Sequence, residues 1–499
     1  MRSVGVGFAV VAACQTLVIS YNTIMLEQFT ELIGLLNKHV LWGPPMMILL
    51  VGVGLYLMFR IRFLQFTKFG LMWRETAAKI FRRGSTDDGD VTPFQAMSVA
   101  MGGTVGVGNI AGVASAIAVG GPGAIFWMWI SGVVGMGTKF AEVTLGVHYR
   151  ERDGDGPMMG GPMMYILRGM GKRWKPLAVL FCIFGALAGL GIGNMVQVRA
   201  LTDGVEKFCG ASESTGPLWE VRWWTGGLLV LAIGLVTLGG IKRIANVAMF
   251  CVPFMCTLYM LAAFVVIAMY ITDVPQVLAM IVHKAFTPTA AVGGFLGSTL
   301  MLAMRQGIAR GVFSNEAGLG SSPMAHATAK TDHPARQGLW GIFEVFFDTI
   351  VMCTATALVI LLTGVWTSGE KDAVLTISAF SVTFGDTIGI GLVTLCMILT
   401  AYDTILAWCF YGETCCSFVL GHSRIVRMTY RVLWLPFILI GALWSSKSIW
   451  AVADTLNALM AIPNLIALFA LTGVVVWLTR GFLKGEPYTP PVDEDSAES

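Results

Sequence analysis

Apolar runs recur along the whole chain, separated by short segments rich in charge, glycine or proline. A helix needs about 20 apolar residues to span a hydrocarbon core. Stretches of that kind fall at approximately 41–60, 93–119, 122–147, 176–203, 223–241, 245–271, 292–318, 337–364, 387–418, 429–446 and 449–479. The pattern predicts an all-α polytopic membrane protein with about eleven transmembrane helices. Residues 1–40 read as an N-terminal extension or peripheral segment and 480–499 as a disordered tail, acidic and proline-containing.

One of these runs contains its own breaking signal. Ala100 to Ala114 carries glycines 102, 103, 106, 108 and 112, together with Thr104 and Asn109, inside the 93–119 span. Lipid offers the backbone no hydrogen-bond partners, so irregular backbone at membrane depth is tolerated only where it is buried in protein or lines a cavity. A break at 102–109 is therefore a candidate binding site. Close helix packing is the competing reading, since Gly108-x-x-x-Gly112 fits a small-residue contact motif. That reading is preferred for the Gly132, Gly135 and Gly137 cluster in the next span.

Composition strengthens the membrane assignment: 56% of residues are hydrophobic, 13% charged, and the mean hydropathy is +0.73. Basic residues divide between alternate loops, 22 on one side (Arg60 to Arg83, Arg150 to Lys175, Lys242 and Arg243, Lys330 and Arg336, Arg424 to Arg431, Arg480 and Lys484) and six on the other (Lys38, Lys207, Arg222, Lys284, Lys371, Lys447). The richer side is expected to be cytoplasmic. The 41–60 helix then starts outside, the 93–119 helix rises from the cytoplasm, and the C-terminus is cytoplasmic, as in a bacterial inner membrane protein. Residues 1–24 resemble a signal or anchor, or an extension ahead of a start at Met25 that leaves the N-terminus outside. Ten cysteines form no C-x-x-C pair and six scattered histidines form no metal motif. With no His-Glu-x-x-His or Gly-x-Ser-x-Gly motif, an intramembrane enzyme is disfavoured. The net charge of +3 lies in the loops and implies no nucleic acid.

Counted from residue 93, ten spans remain, and glycine and polar residues interrupt the first again five helices later, in 292–318, around Arg305-Gln306-Gly307 and Arg310-Gly311. Five is odd, so the second set runs through the membrane in the opposite sense. The expected organisation is an additional helix at 41–60, a five-helix repeat at 93–271 and an inverted five-helix repeat at 292–479, each led by a broken helix.

Longer motifs then become specific. Gly-Gly-Pro-Gly-Ala-Ile-Phe-Trp-Met-Trp (120–129), Gly-Thr-Lys-Phe-Ala-Glu (137–142), Gly-Gly-Pro-Met-Met-Tyr (160–165), Gly-Ile-Gly-Asn-Met-Val-Gln (191–197), Ala-Arg-Gly-Val-Phe-Ser-Asn-Glu-Ala-Gly-Leu-Gly-Ser (309–321) and Ala-Lys-Thr-Asp-His-Pro (329–334) together resemble the alanine or glycine:cation symporter family, over about residues 25 to 480. That family is similar in fold to LeuT-type sodium-coupled transporters. The resemblance implies a symporter importing a small neutral amino acid, alanine or glycine, with sodium as coupling ion and no enzymatic cofactor.

The same resemblance assigns residues. Amides near Gly106 and Gly108, with Thr104 and Asn109, would take the substrate carboxylate, and a break from Gln306 to Gly311 would free carbonyls for its ammonium, with Gly307 and Gly311 allowing close approach. Gln197 is expected to face the site, with helix-to-helix bonding as its alternative; Phe313 and Trp408 would limit its volume unless they are ordinary packing. Thr400, Asp403 and Thr404 share one helical face and, with carbonyls of Gly102 and Val105, would hold sodium. Asp403 is an unusual acid at this position: it strengthens a sodium site, carries a proton, or pairs with a neighbouring Lys or Arg. Asp348 with Thr104 and Asn109 would form a second cation site. Glu316, Glu142, Lys139, Arg305 and Arg310 also lie near the spans; Lys139 and Glu142 read as an i, i+3 ion pair, and the two arginines as gating or structural pairs. A proton-coupled symporter and an ion channel are the alternatives in function, and oligomeric state stays open.

Overall fold

The computed structural model describes residues 31–80, 88–152, 156–210, 218–287, 296–444 and 446–490. The readings of residues 1–24, Met25, Arg82, Arg83 and 491–499 lie outside them. Almost every described segment is helical: α1 (Pro44–Arg60), α2 (Pro93–Thr104), α3 (Gly108–Gly120), α4 (Gly123–His148), α5 (Lys172–Phe208), α6 (Leu218–Thr237), α7 (Ile241–Met269), α8 (Val274–Phe286), α9 (Leu296–Asn315), α10 (Ser322–His326), α11 (Pro334–Leu362), α12 (Asp372–Phe384), α13 (Asp386–Leu420), α14 (Arg424–Leu443), α15 (Ser446–Ala470) and α16 (Thr472–Lys484). A two-residue antiparallel ladder pairs Glu151–Arg152 with Met158–Met159, and Val91 bridges Ala329 in parallel.

Eight helices are long and apolar enough to cross a membrane, or ten when each bent pair counts as one span. These ten correspond to ten of the eleven expected spans. The remaining one, 292–318, is a helix over Leu296–Asn315, but Arg305, Arg310 and its glycines make it too polar to pass on composition. Two shorter apolar helices, α8 and α12, also appear.

The first break arises as the sequence reading expects. Thr92 starts α2 with a capping box: its hydroxyl accepts the Gln95 N–H (3.2 Å), its own N–H donates to Gln95 Oε1 (2.9 Å), and Pro93 occupies the first turn. The helix ends at Thr104, Val105 departs from helical geometry (φ −76°, ψ 81°), and α3 leaves at 46° to α2. Wider π-type turns occur at Gly108–Gly112, Gly189–Met195 and Phe346–Cys353, a form that recurs at functional sites.

The second break lies elsewhere. α9 runs without interruption through Gln306–Gly311, and the chain turns at Glu316 (φ 55°), Gly318 (φ 94°) and Gly320 (φ 80°) before α10 begins. Gly307 and Gly311 instead let α9 lie against α4: a Cβ at 307 would sit 2.2 Å from the Ala124 carbonyl oxygen, and one at 311 would sit 2.1 Å from Ser131 Oγ. Both glycines are therefore helix-contact positions, the role the sequence reading gave only to 132–137. Gly307→Val is expected to lower stability by about 1–3 kcal/mol through overpacking. Gly227→Ala, where a Cβ meets nothing within 4 Å, should be neutral or slightly stabilising. Thermal unfolding in detergent compares the two, and equal midpoints would refute the packing role.

Candidate functional site

The interruption between α2 and α3 leaves backbone groups that the helix no longer pairs, and side chains from other elements reach them. Asn109 Oδ1 accepts the Gly106 N–H (3.0 Å), and Gln197 Oε1 accepts the Val107 N–H (3.2 Å). Gln197 stands on α5, where the Gly189–Met195 π-turn is held partly by its own bond to the Ile192 carbonyl (3.1 Å). An acceptor aimed at these two amides marks where a carboxylate gains most, at the start of a half-helix. Gly108 lies against Phe313 and Ser314 of α9, at 3.1 and 3.2 Å from where its Cβ would be. Thr104 turns away and donates to Met101 O within its own helix (3.2 Å).

On the other side of α2, α13 brings Thr400, Asp403 and Thr404 to one face. The Thr404 hydroxyl bonds both the Gly102 carbonyl (2.8 Å) and the Thr400 carbonyl (3.0 Å), and that of Thr400 bonds Met397 O (3.1 Å). Asp403 faces Gly102, whose missing Cβ would lie 3.2 Å from its own. The residue is 1% exposed, yet no N–H or O–H donor reaches either carboxylate oxygen, and the weakly donating Cys251 thiol is the polar hydrogen nearest to it. Its titratable neighbours are Cys251, Cys256 and Tyr402, and no described Lys or Arg pairs with it. The ion-pair alternative is thereby removed among the described residues. A buried carboxylate with no basic partner, beside helix-end carbonyls, is an oxygen-rich setting suited to a hard cation.

Asp348 is the opposite case. Asn109 Nδ2 donates to it at 2.7 Å, Ser314 Oγ lies 3.1 and 2.9 Å from its two oxygens, and Thr349 Oγ1 is at 2.8 Å. Asn109 thus ties the first break to α11, and Ser314 ties α9 to the same carboxylate. Thr104 does not join this cluster; Ser314 and Thr349 do. Both were legible only as neighbours of residues already singled out.

Trp408 lies on α13 with its ring against Gly193, where an added Cβ would sit 2.2 Å away. Its indole N–H donates to Glu316 Oε1 (2.7 Å), and Ser321 donates to Glu316 Oε2 (2.5 Å). The second break therefore touches Trp408 through Glu316 rather than presenting the 306–311 carbonyls. Phe313 packs against Trp450 with the rings tilted by 39° at 4.9 Å, and the Arg310 guanidinium lies over both rings and is bonded to Asp454 (3.0 Å).

Below the second break Lys139 is fully buried, but it does not pair with Glu142. Its ammonium donates to Ser322 (2.6 Å) and Glu344 (3.3 Å), and His326 contacts the other Glu344 oxygen (3.0 Å). Glu142 Oε1 accepts the Gly318 and Gly320 N–H groups (3.0 and 3.1 Å) and the Asn464 amide (2.6 Å). The i, i+3 spacing was correct on the helix, but the left-handed turn at 316–320 offers Glu142 unpaired amides that outcompete the lysine. Outside the spans, burial raises the Glu75 carboxyl, but the Lys79 hydrogen bond and the Arg336 charge outweigh it and hold its pKa below the usual value.

Comparison with known proteins gives these residues a context. Residues 26–489 match the model of the sodium:alanine symporter family. The chain is 41% identical to the sodium/alanine symporter AgcS of Methanococcus maripaludis, over 91% of this chain and 97% of that protein. It is 38% identical to GlnT of Bacillus subtilis, described as a probable sodium/glutamine symporter, over 92% of each chain. A solved structure of MhsT in complex with L-phenylalanine matches with a TM-score of 0.55 at 13% identity, covering 79% of this chain and 99% of that one, and shows a shared LeuT-type fold. The chain is a multi-pass membrane amino-acid symporter and belongs to the sodium:alanine symporter family.

Proposed function

We propose that this protein imports a small neutral amino acid, alanine or glycine, coupled to sodium by alternating access. The observation that carries the reading is Asp403: a full carboxylate, buried and without an N–H or O–H donor or a basic partner, beside the Gly102 carbonyl and Thr404. A charge at that depth costs roughly 2.5 to 3.5 kcal/mol on insertion scales, and a bound cation offsets it. Carbonyls of Gly102, Val105 and Thr400 with the Thr404 hydroxyl supply the remaining hard oxygens. The substrate carboxylate competes with Asn109 and Gln197 for the amides of Gly106 and Val107. Gly108, Phe313 and Trp408 restrict the space around it, which suits a side chain no larger than a methyl group. Cation and substrate meet through the same break, and their coupling is reciprocal. Asp348, saturated by Asn109, Ser314 and Thr349, forms the second oxygen cluster and accepts sodium only by exchanging those donors. The basic ends of the bundle face the cytoplasm of a bacterial inner membrane, with residues 93–271 and 292–479 as the opposed halves.

Uptake of labelled alanine into proteoliposomes tests this. An inward sodium gradient alone should drive accumulation, a proton gradient alone should not, and internal unlabelled alanine should drive counterflow. Accumulation driven by protons without sodium would move the coupling to Asp403 as a proton carrier, and absence of counterflow would favour a channel.

A further inference from the structure

The basic end of α1 holds a set of charges, none of them among the residues assigned to transport, that the symport mechanism does not use. A pocket of about 190 Å³ opens between the end of α1, the turn that follows and α16, lined by Arg60, Arg62 and Lys68 on one side and Arg480 on the other, over Ile61, Leu64, Val476 and Leu483. None of the four cations pairs with a described carboxylate. The acids near them in sequence are engaged elsewhere, Glu75 with Lys79 and Arg336 and Glu486 with Lys484. Like charges are thus gathered around an apolar wall, an arrangement that repels itself unless an anion joins it.

A second feature lies on the same helix. About two turns up α1, an apolar groove of about 350 Å³ runs between Ile48, Leu49, Gly52 and Val53 of α1 and Leu465 and Phe469 of α15. Val53 and Arg60 are separated by about 10 Å along the axis, and Tyr56 stands between the two features. Its ring lies 5.1 Å from that of Phe469, and its hydroxyl accepts from Arg60 (2.9 Å). Phe59 and Phe66, chain neighbours of the pocket-lining Arg60 and Thr67, are 65% and 57% exposed, so apolar surface continues up to the charges.

We propose that this two-part surface binds one anionic phospholipid, its phosphate held by Arg60, Arg62, Lys68 and Arg480 and an acyl chain laid in the groove along α1. Charge alone would fit inorganic phosphate or the acidic C-terminal residues; the collinear apolar groove favours a lipid. Basic pockets at helix ends on the charged side of a membrane protein recognise such headgroups.

The test uses the purified full-length protein incubated with vesicles of equal phosphatidylglycerol and phosphatidylcholine, with retained lipid counted by native mass spectrometry. Wild-type protein should retain phosphatidylglycerol over phosphatidylcholine. Arg60→Gln, Arg62→Gln and Lys68→Gln together should reduce that retention by about five-fold for each cation removed. Gly52→Leu, which fills the groove without altering charge, should also reduce it, whereas Arg173→Gln with Lys175→Gln, exposed cations elsewhere on the basic side, should not. Equal retention of the two lipids, or equal losses in the triple variant and the Arg173/Lys175 control, would overturn the proposal. So would displacement of phosphatidylglycerol by inorganic phosphate alone. Selective binding seen only after truncation at Pro490, and not in the full chain, would assign the cations to the acidic tail and overturn it too.

Discussion

Asp403→Asn should abolish most sodium activation of uptake while leaving substrate binding at saturating sodium comparatively intact. Asparagine keeps the shape and one oxygen of the side chain, so the Gly102 and Thr404 contacts across the α2 and α13 interface survive. What disappears is a full charge. At an effective dielectric of about 20, a unit charge about 4 Å from a cation contributes about 4 kcal/mol, so the apparent sodium affinity should fall by about 10² to 10³-fold. Because no N–H or O–H donor reaches either carboxylate oxygen, the substitution breaks no such bond and still leaves an amide oxygen to accept from the Cys251 thiol, and the folded protein should be as stable or more stable without sodium. The measurement is the sodium dependence of alanine uptake in proteoliposomes, alongside thermal unfolding with and without sodium. An unaltered sodium activation curve would remove Asp403 from the cation site. Loss of sodium-induced stabilisation, with an unfolding midpoint in its absence that is unchanged or raised, is the expected signature.

Lys139→Met should be the most destabilising single change in the polar interior. It strands Glu344, which then retains His326 and Ser322 but loses its lysine, in a region that also contains Glu142 and Glu316, all of them buried. Breaking a buried pair by removing one partner costs about 3–5 kcal/mol. Lys139→Met with Glu344→Gln should recover most of that loss, since replacing both charges is often close to neutral. Thermal unfolding of the two singles and the double in detergent gives the coupling as a double-mutant cycle. A single variant as stable as wild type, or a double variant no better than Lys139→Met, would mean that the pair does not hold the second break.

The sequence reading and the structure part company at particular residues for one reason. Periodicity, basic-residue asymmetry and glycine content are local, and they were sufficient for ten of the spans, for the break at 102–109 and for the shared face of Thr400, Asp403 and Thr404. They could not separate a glycine that unwinds a helix from one that admits a neighbour. Gly106 and Gly307 look alike along the chain, but Thr404 and Gln197 face the first while the Ala124 carbonyl faces the second. Partner choice was equally hidden. Lys139 and Glu142 are well spaced to pair on a helix, and only elements brought over from elsewhere, the turn at Glu316–Gly320 for Glu142 and Ser322 with Glu344 for Lys139, show why each bonds elsewhere.

By itself, then, the amino-acid sequence determined an all-helical membrane protein, the location of one interrupted helix and an acid, Asp403, set inside a spanning helix. These follow from the cost of exposing polar backbone and charge to lipid, which every residue meets locally. The tertiary structure decided that the second interruption falls at 316–320, that Asp348 is saturated while Asp403 is not, and that Trp408 is held through Glu316. Those depend on which groups approach across helices far apart in the chain, and a buried polar atom takes the donor or acceptor that folding brings within reach.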